Sequence, residues 1–175
     1  MKKWLSITAI IVLLDHITKY YASAELAMHK PVAVFPMLNF YLAHNEGAAF
    51  SFLSTAGGWQ RWFFTIIALV ISIVLVFWLR RIKPHEKIQG MALSCILAGA
   101  IGNLIDRVMH GYVVDFIQFY YNAASCLPMF SQAGTRCYWP AFNIADSAIS
   151  IGVALLIYDS VREYKQQRRA DMNTN

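Results

Sequence analysis

The chain has 175 residues, of which 58% are hydrophobic and 14% charged, with a formal net charge of +5 and a mean hydropathy of +0.44. That composition excludes an ordinary water-soluble domain, and the length suits one compact unit. The basic excess needs no nucleic acid, because most Lys and Arg residues flank apolar runs, as expected of the cytoplasmic ends of membrane spans.

The reading is an all-α membrane protein: a single polytopic domain over 1–175, with four transmembrane helices and a small outward-facing β-sheet. The first span, about 4–24, follows Lys2 and Lys3 and is interrupted by Asp15, His16 and Lys19. Its apolar run Leu5 to Leu14, ahead of Ala22-Ser23-Ala24, also resembles a cleavable secretory signal. Asp15 and Lys19 fall where such a signal is short and neutral, so an uncleaved helix fits better. A charge in mid-membrane costs roughly 2.5–3.5 kcal/mol on insertion scales and calls for a partner. The four-residue spacing of Asp15 and Lys19, acid first, permits a self-neutralising pair, with either a structural role or one in positioning substrate.

In the first outward loop, 25–60, Val32, Val34, Leu38, Phe40 and Leu42 alternate around Pro36 and Asn39, a pattern of short strands. His44 to Ser51 follow, with Asn45 and Gly47 beside small residues that allow another backbone to approach closely. A peptide added along this edge as a strand and a plain hairpin capping the bundle are both consistent with the pattern. Gly57-Gly58 closes the region before Trp59 and Trp62, which suit an interfacial belt.

The second span, 62–79, is almost unbroken, and at ~1.5 Å per residue it reaches ~27 Å, about one hydrocarbon thickness. In the third, 88–107, Ser94, Ala98 and Gly102 form a small-residue stripe suited to close helix packing, and Cys95 reads as a small packing residue. At its outer end Asn103 and Arg107 share a face on which an amide and a guanidinium can fix a carboxylate or a carbonyl. Asp106 and Arg107 fit an interfacial ion network equally well.

The second outward loop, 108–141, holds strand-like Tyr112-Val113-Val114, then Asp115, then apolar Phe116-Ile117. Cys126 and Cys137 are either a disulfide, permitted in an oxidising compartment, or two free thiols. The fourth span, 142–160, starts after Pro140 with Asn143 and Asp146. Arg80, Arg81, Lys83 and Lys87, and then Arg162, Lys165, Arg168 and Arg169, mark the cytoplasmic side together with Lys2 and Lys3. Both termini are therefore expected inside, with the basic tail solvated near anionic headgroups.

Asp115 and Asp146 carry the most chemical information, since carboxylates at a bilayer boundary are rarely there for stability. Brought together, two carboxyls share one proton, one serving as base and the other as acid for water attacking a peptide bond. Asn143 as an N-cap with an acid three residues later equally describes a plain helix start. A non-enzymatic transporter or lipoprotein-binding protein is the alternative function, although these charges crowd one leaflet instead of lining a path. A serine–lysine protease built on Lys19 lacks a well-placed serine, and metal hydrolysis lacks a paired-histidine motif.

Five ordered segments complete the picture: Asp15-His16-Ile17-Thr18-Lys19, Asn45 to Ser51, Gly99 to Arg107, Val113-Val114-Asp115-Phe116 and Phe142 to Asp146. Together they resemble the motifs of the bacterial lipoprotein signal peptidases (signal peptidase II), aspartic proteases of the cytoplasmic membrane. The resemblance implies cleavage of diacylglyceryl-modified prolipoproteins immediately before the lipidated cysteine, with Asp115 and Asp146 as the catalytic dyad and no metal or organic cofactor. It further implies that Asn45, Gly47, Asn103, Arg107 and Asn143 bind substrate, that Asp15, Lys19, Asp106, Val113 and Ala145 support the site, and that the outward strands form a cradle. A monomer among membrane lipids is expected, in the inner membrane, with its site toward the outer leaflet as the placement of Lys and Arg requires. The stretch 122–138 departs from the family by its length, as either a lid or a tolerated insertion.

Overall fold

The computed structural model describes residues 1–47 and 58–174. The motif residues Ala48, Ala49, Phe50 and Ser51, and Gly57 before the second span, lie outside the described residues.

Among the described residues four helices are long and apolar enough to cross a membrane: α1 (Lys2–Glu25), α2 (Trp59–Arg81), α3 (Lys87–Met109) and α4 (Ile144–Thr174). In hydrocarbon no water satisfies the backbone, so each apolar run closes its own hydrogen bonds as a helix. The fourth helix is longer than its expected 142–160 span, because nothing in the polar stretch after Tyr158 breaks it. Arg162, Lys165, Arg168 and Arg169 therefore lie exposed on a continuing helix. α2 likewise starts at Trp59, inside the stretch expected as loop.

Between the helices run β1 (Val32–Phe35), β2 (Leu38–Asn45), β3 (Val113–Asn122), β4 (Ser131–Ala133) and β5 (Arg136–Tyr138). They form one antiparallel sheet in the order β1-β2-β3-β5-β4. It lies at the end of the bundle where α1 and α3 finish and α2 and α4 begin. The β1–β2 hairpin turns at Pro36-Met37, with Met37 at φ 69° in the position of a type II turn that needs positive φ. The stretch 122–138 is the β4–β5 hairpin, and Cys126 and Cys137 are joined there as a disulfide, the pairing that the cysteine pattern left open.

α3 is the central helix, packed against the other three. Ser94 and Ala98 are buried on it, and Thr8 of α1 donates to the Ser94 carbonyl at 3.2 Å. Gly99 lets α4 approach, and Gly102 lets both α1 and α4 do so: a Cβ on Gly99 would collide with the Ala145 carbonyl, and one on Gly102 would sit 2.6 Å from Asp15 Oδ2 and 3.2 Å from the Ala145 Cβ. At the far end of the bundle Trp4, Leu75, Leu79, Leu93 and Leu97 form an apolar cluster. Helix packing there rests on van der Waals contact.

Candidate active site

The site is built where the sheet meets the outer turns of α3 and α4. β3 pairs with β2 in a register that sets Ala43 opposite Asp115 and His44 opposite Val114, which brings Asn45 within reach of Asp115. Asn45 Nδ2 donates to Asp115 Oδ2 at 3.1 Å, and Asn143 Nδ2 donates to Oδ1 at 2.7 Å. The Asp115 side chain is therefore held on both oxygens. Burial first, and the Asp146 carboxylate second, push its carboxyl up to about 8, against the opposing effect of the two amides.

Asp146 lies in the first turn of α4. Its Oδ1 accepts from Asn103 Nδ2 at 2.7 Å and its Oδ2 from the Asn143 backbone N–H at 3.3 Å. The Asp146 N–H returns a bond to Asn143 Oδ1 at 2.9 Å. Asn143 and Asp146 thus form a reciprocal cap on the helix N-terminus. Capping and the dyad are not exclusive here: the fully buried Asn143 side chain caps α4 with its oxygen and holds Asp115 with its nitrogen. One amide ties the two aspartates together.

Beneath them lies an ion cluster. Lys19 Nζ is 2.7 Å from Asp15 Oδ2 and 2.8 Å from Asp106 Oδ2, and it donates to Asn103 Oδ1 at 3.1 Å. The self-neutralising pair expected from spacing is therefore part of a triad whose third member comes from α3. All three charged side chains are buried. Asp15 Oδ1 also accepts the Ala145 N–H at 2.9 Å, and Asp106 Oδ2 accepts the Val114 N–H at 3.1 Å. Both acids therefore anchor backbone next to one of the two aspartates, Asp15 beside Asp146 and Asp106 beside Asp115.

Arg107 turns toward the first outward loop, where Nη2 donates to the Gly47 carbonyl at 3.1 Å. The Gly47 N–H donates to Asn45 Oδ1 at 3.0 Å, so Arg107, Gly47, Asn45 and Asp115 form a chain. Buried Arg107 Nε has no hydrogen-bond partner among the described residues. Val113 is buried at the cavity wall, and Ala145 packs between α1 and α3.

Asn45, Asn103, Arg107, Val113, Asp115 and Asp146 all line one cavity of about 930 Å³ between α2, α3, α4 and the sheet. Its other walls are apolar, with Ile67 and Ile71 of α2, Ile96 of α3 and Ile149 of α4. Sequence reasoning missed the aromatic part of this lining, Phe64, Phe119, Phe130, Trp139 and Phe142. It also missed Arg61, which holds the end of α3 by donating to the Arg107 and Val108 carbonyls at 2.9 and 3.0 Å. For Arg61 a signal was present, a cation among the aromatics that open α2. Among the described residues no group of three or more His, Cys, Asp or Glu side chains is arranged to hold a metal ion.

A model of the family described as signal peptidase (SPase) II matches residues 7–162. The chain is similar to the lipoprotein signal peptidase of Acinetobacter baumannii, at 48% identity over 164 residues covering 94% of this chain and 86% of the relative. It is 47% identical to that of Alteromonas mediterranea over 157 residues, 90% of this chain and 79% of the relative. With the Pseudomonas aeruginosa protein of that name it shares 44% identity over 168 residues, 95% of this chain and 92% of the relative. A solved structure described as a bacterial membrane enzyme at 2.3 Å superposes with a TM-score of 0.76 at 32% identity, over 95% of this chain and 92% of that one. A second, at 1.9 Å, gives 0.70 at 34% identity over 91% and 92%. The chain belongs to the signal peptidase II family.

Proposed function

We propose that Asp115 and Asp146 are the catalytic dyad with which this protease removes signal peptides from prolipoproteins. The observation that carries this reading is that Asn143 holds both carboxyls, Asp115 through its side-chain Nδ2 and Asp146 through its backbone N–H, where the two aspartates line one cavity. At neutral pH Asp115, raised by burial, keeps its proton, and the α4 N-terminus favours negative charge on Asp146. Asp146 then takes a proton from water as the oxygen attacks the scissile carbonyl, and Asp115 gives its proton to the developing oxyanion. When the tetrahedral intermediate collapses, the C–N bond breaks, Asp146 passes its proton to the departing amine and Asp115 regains its own. The pair returns with one shared proton, titrating as a unit.

The remaining residues have roles consistent with this chemistry. Asn45, Asn103 and Asn143 orient the carboxyls, and Arg107 offers its spare Nε–H to a substrate carbonyl while fixing Gly47. Asp15, Lys19, Asp106, Val113 and Ala145 hold the backbone around the dyad. The substrate is a diacylglyceryl-modified precursor, cut immediately before its lipidated cysteine. Its acyl chains rest against the apolar helix walls, which turns recognition into positioning of the peptide bond at the membrane surface. The basic ends of the helices face the cytoplasm and the sheet faces outward across the inner membrane, in accord with the distribution of Lys and Arg. The enzyme works as a monomer.

The test is cleavage of a synthetic lipidated precursor by purified protein in detergent, with products identified by mass. A cut before the lipidated cysteine, lost in both Asp115→Asn and Asp146→Asn, is the expected result. Unimpaired cleavage by either variant would remove the dyad.

A further inference from the structure

The β4–β5 hairpin, with the loop before it, reaches the cavity. After β3 leaves Asp115, the chain returns antiparallel to it, pairing Tyr121 with Cys137 and Asn122 with Arg136. The return continues past β5: the Trp139 N–H donates to the Phe119 carbonyl at 2.8 Å, and Phe142 and Ile117 exchange bonds at 3.0 and 2.9 Å. This arm ends at Asn143, the cap that ties the aspartates together. The hairpin and the dyad are therefore joined by one hydrogen-bonded strut.

Two rings from this extension line the cavity, Phe130 and Trp139. They meet edge to face with centroids 5.0 Å apart, and Phe130 meets Tyr121 in the same way at 5.0 Å. β4 and β5 are three residues each, too short to hold such a wall by strand pairing alone. Cys137 is fully buried at the centre of β5, and its bond to Cys126 closes the loop that carries Phe130. The wall belongs to the sheet side of the cavity, whereas the apolar side chains suited to acyl chains belong to α2, α3 and α4. That division favours the peptide over the lipid as the occupant of the aromatic wall.

We propose that Phe130, backed by Trp139 and held by the Cys126–Cys137 bond, is a specificity-determining wall that binds an apolar side chain flanking the scissile bond of the precursor. The inference rests on the cavity being the proteolytic site. An aromatic face excludes water from such a side chain and offers little to a polar one. The disulfide makes this preference depend on an oxidised hairpin.

The experiment uses full-length protein in detergent and lipidated precursor peptides that differ only in one residue, Leu or Ser, placed either before the cut or just after the lipidated cysteine. In Phe130→Ala, KM for the Leu precursor should rise about tenfold with kcat within about twofold, and KM for the Ser precursor should move far less. Phe130→Leu should restore most of the Leu-precursor KM, and Cys126→Ser/Cys137→Ser should reproduce part of the Phe130→Ala shift. Equal shifts for both precursors, no shift, or a shift that follows acyl-chain length would overturn the proposal. Binding of the same peptides to Asp115→Asn, with and without Phe130→Ala, gives the Leu/Ser affinity ratio without turnover. If Asp115→Asn still cleaves, the dyad fails while that ratio continues to judge the wall.

Discussion

The two ends of the helix bundle are held together by different forces. Away from the sheet, Trp4, Leu75, Leu79, Leu93 and Leu97 pack as a purely apolar cluster, with the basic side chains on the outside. Toward the sheet, Asp15, Lys19, Asn103, Asp106, Asp115 and Asn143 are all buried. In hydrocarbon the first arrangement needs only shape complementarity, whereas the second carries a desolvation cost for each charge that close pairing only partly offsets. A fold seeking stability alone would extend the apolar cluster along its whole length. The polar end holds the Asp115 and Asp146 carboxyls in place through Asn45, Asn103 and Asn143, and the apolar end supplies the frame.

The largest expected break in this contrast is at Lys19. Lys19→Met removes the cation between Asp15 and Asp106 and should destabilise the protein by about 3–5 kcal/mol, because two buried carboxylates lose their compensation; thermal unfolding in detergent measures it. Asn143→Ala should lower kcat by about a hundredfold through loss of the bond to Asp115, and stability by about 1 kcal/mol through loss of the cap. A cleavage assay beside a melt separates the two effects. At the other end, Leu93→Ala should cost about 2 kcal/mol as a cavity, with little transfer contribution because lipid is as apolar as leucine. Its kcat per folded molecule should stay within about twofold of wild type, since Leu93 belongs to the apolar cluster.

The smallest perturbation is pH. In the proposed mechanism Asp115, pushed up to about 8, acts as the acid and needs its proton, so kcat should fall as pH rises through that value and both carboxyls ionise. An alkaline limb centred well below it would contradict the burial-raised carboxyl. Stability moves in the same sense: the folded state holds this proton more tightly than an unfolded chain, where aspartate titrates near ~3.9. The advantage is present at low pH and is lost as pH climbs toward about 8.

The four spans, the strands around Val32–Leu42 and Val113, and the residues of the polar network were legible, whereas β4 and β5 were not; hydrocarbon imposes simple rules of long apolar runs, basic flanks, and charges that need a reason. Asp15 and Lys19 could be paired from their helical spacing, yet Asp106, 87 residues beyond Lys19 in sequence, could not, since a contact between helices leaves no local period. The Asn143–Asp146 pattern pointed to a cap, and only the register of β3 against the start of α4 revealed that the same amide also holds Asp115. Phe130 and Trp139 were invisible for a different reason. Aromatic residues in a loop carry no pattern of their own, and their place at the cavity depends on the disulfide and on the strut back to Phe142. The longer α4 was missed because the end of a hydrophobic span is not the end of a helix.

The most direct measurement is a double-mutant cycle on cleavage of a lipidated precursor, comparing Asp115→Asn, Asp146→Asn and the two combined. If the carboxyls act as one proton-sharing unit, each single variant falls to the same residual rate as the double. Independent, additive losses, or a single variant that keeps wild-type turnover, would contradict the account.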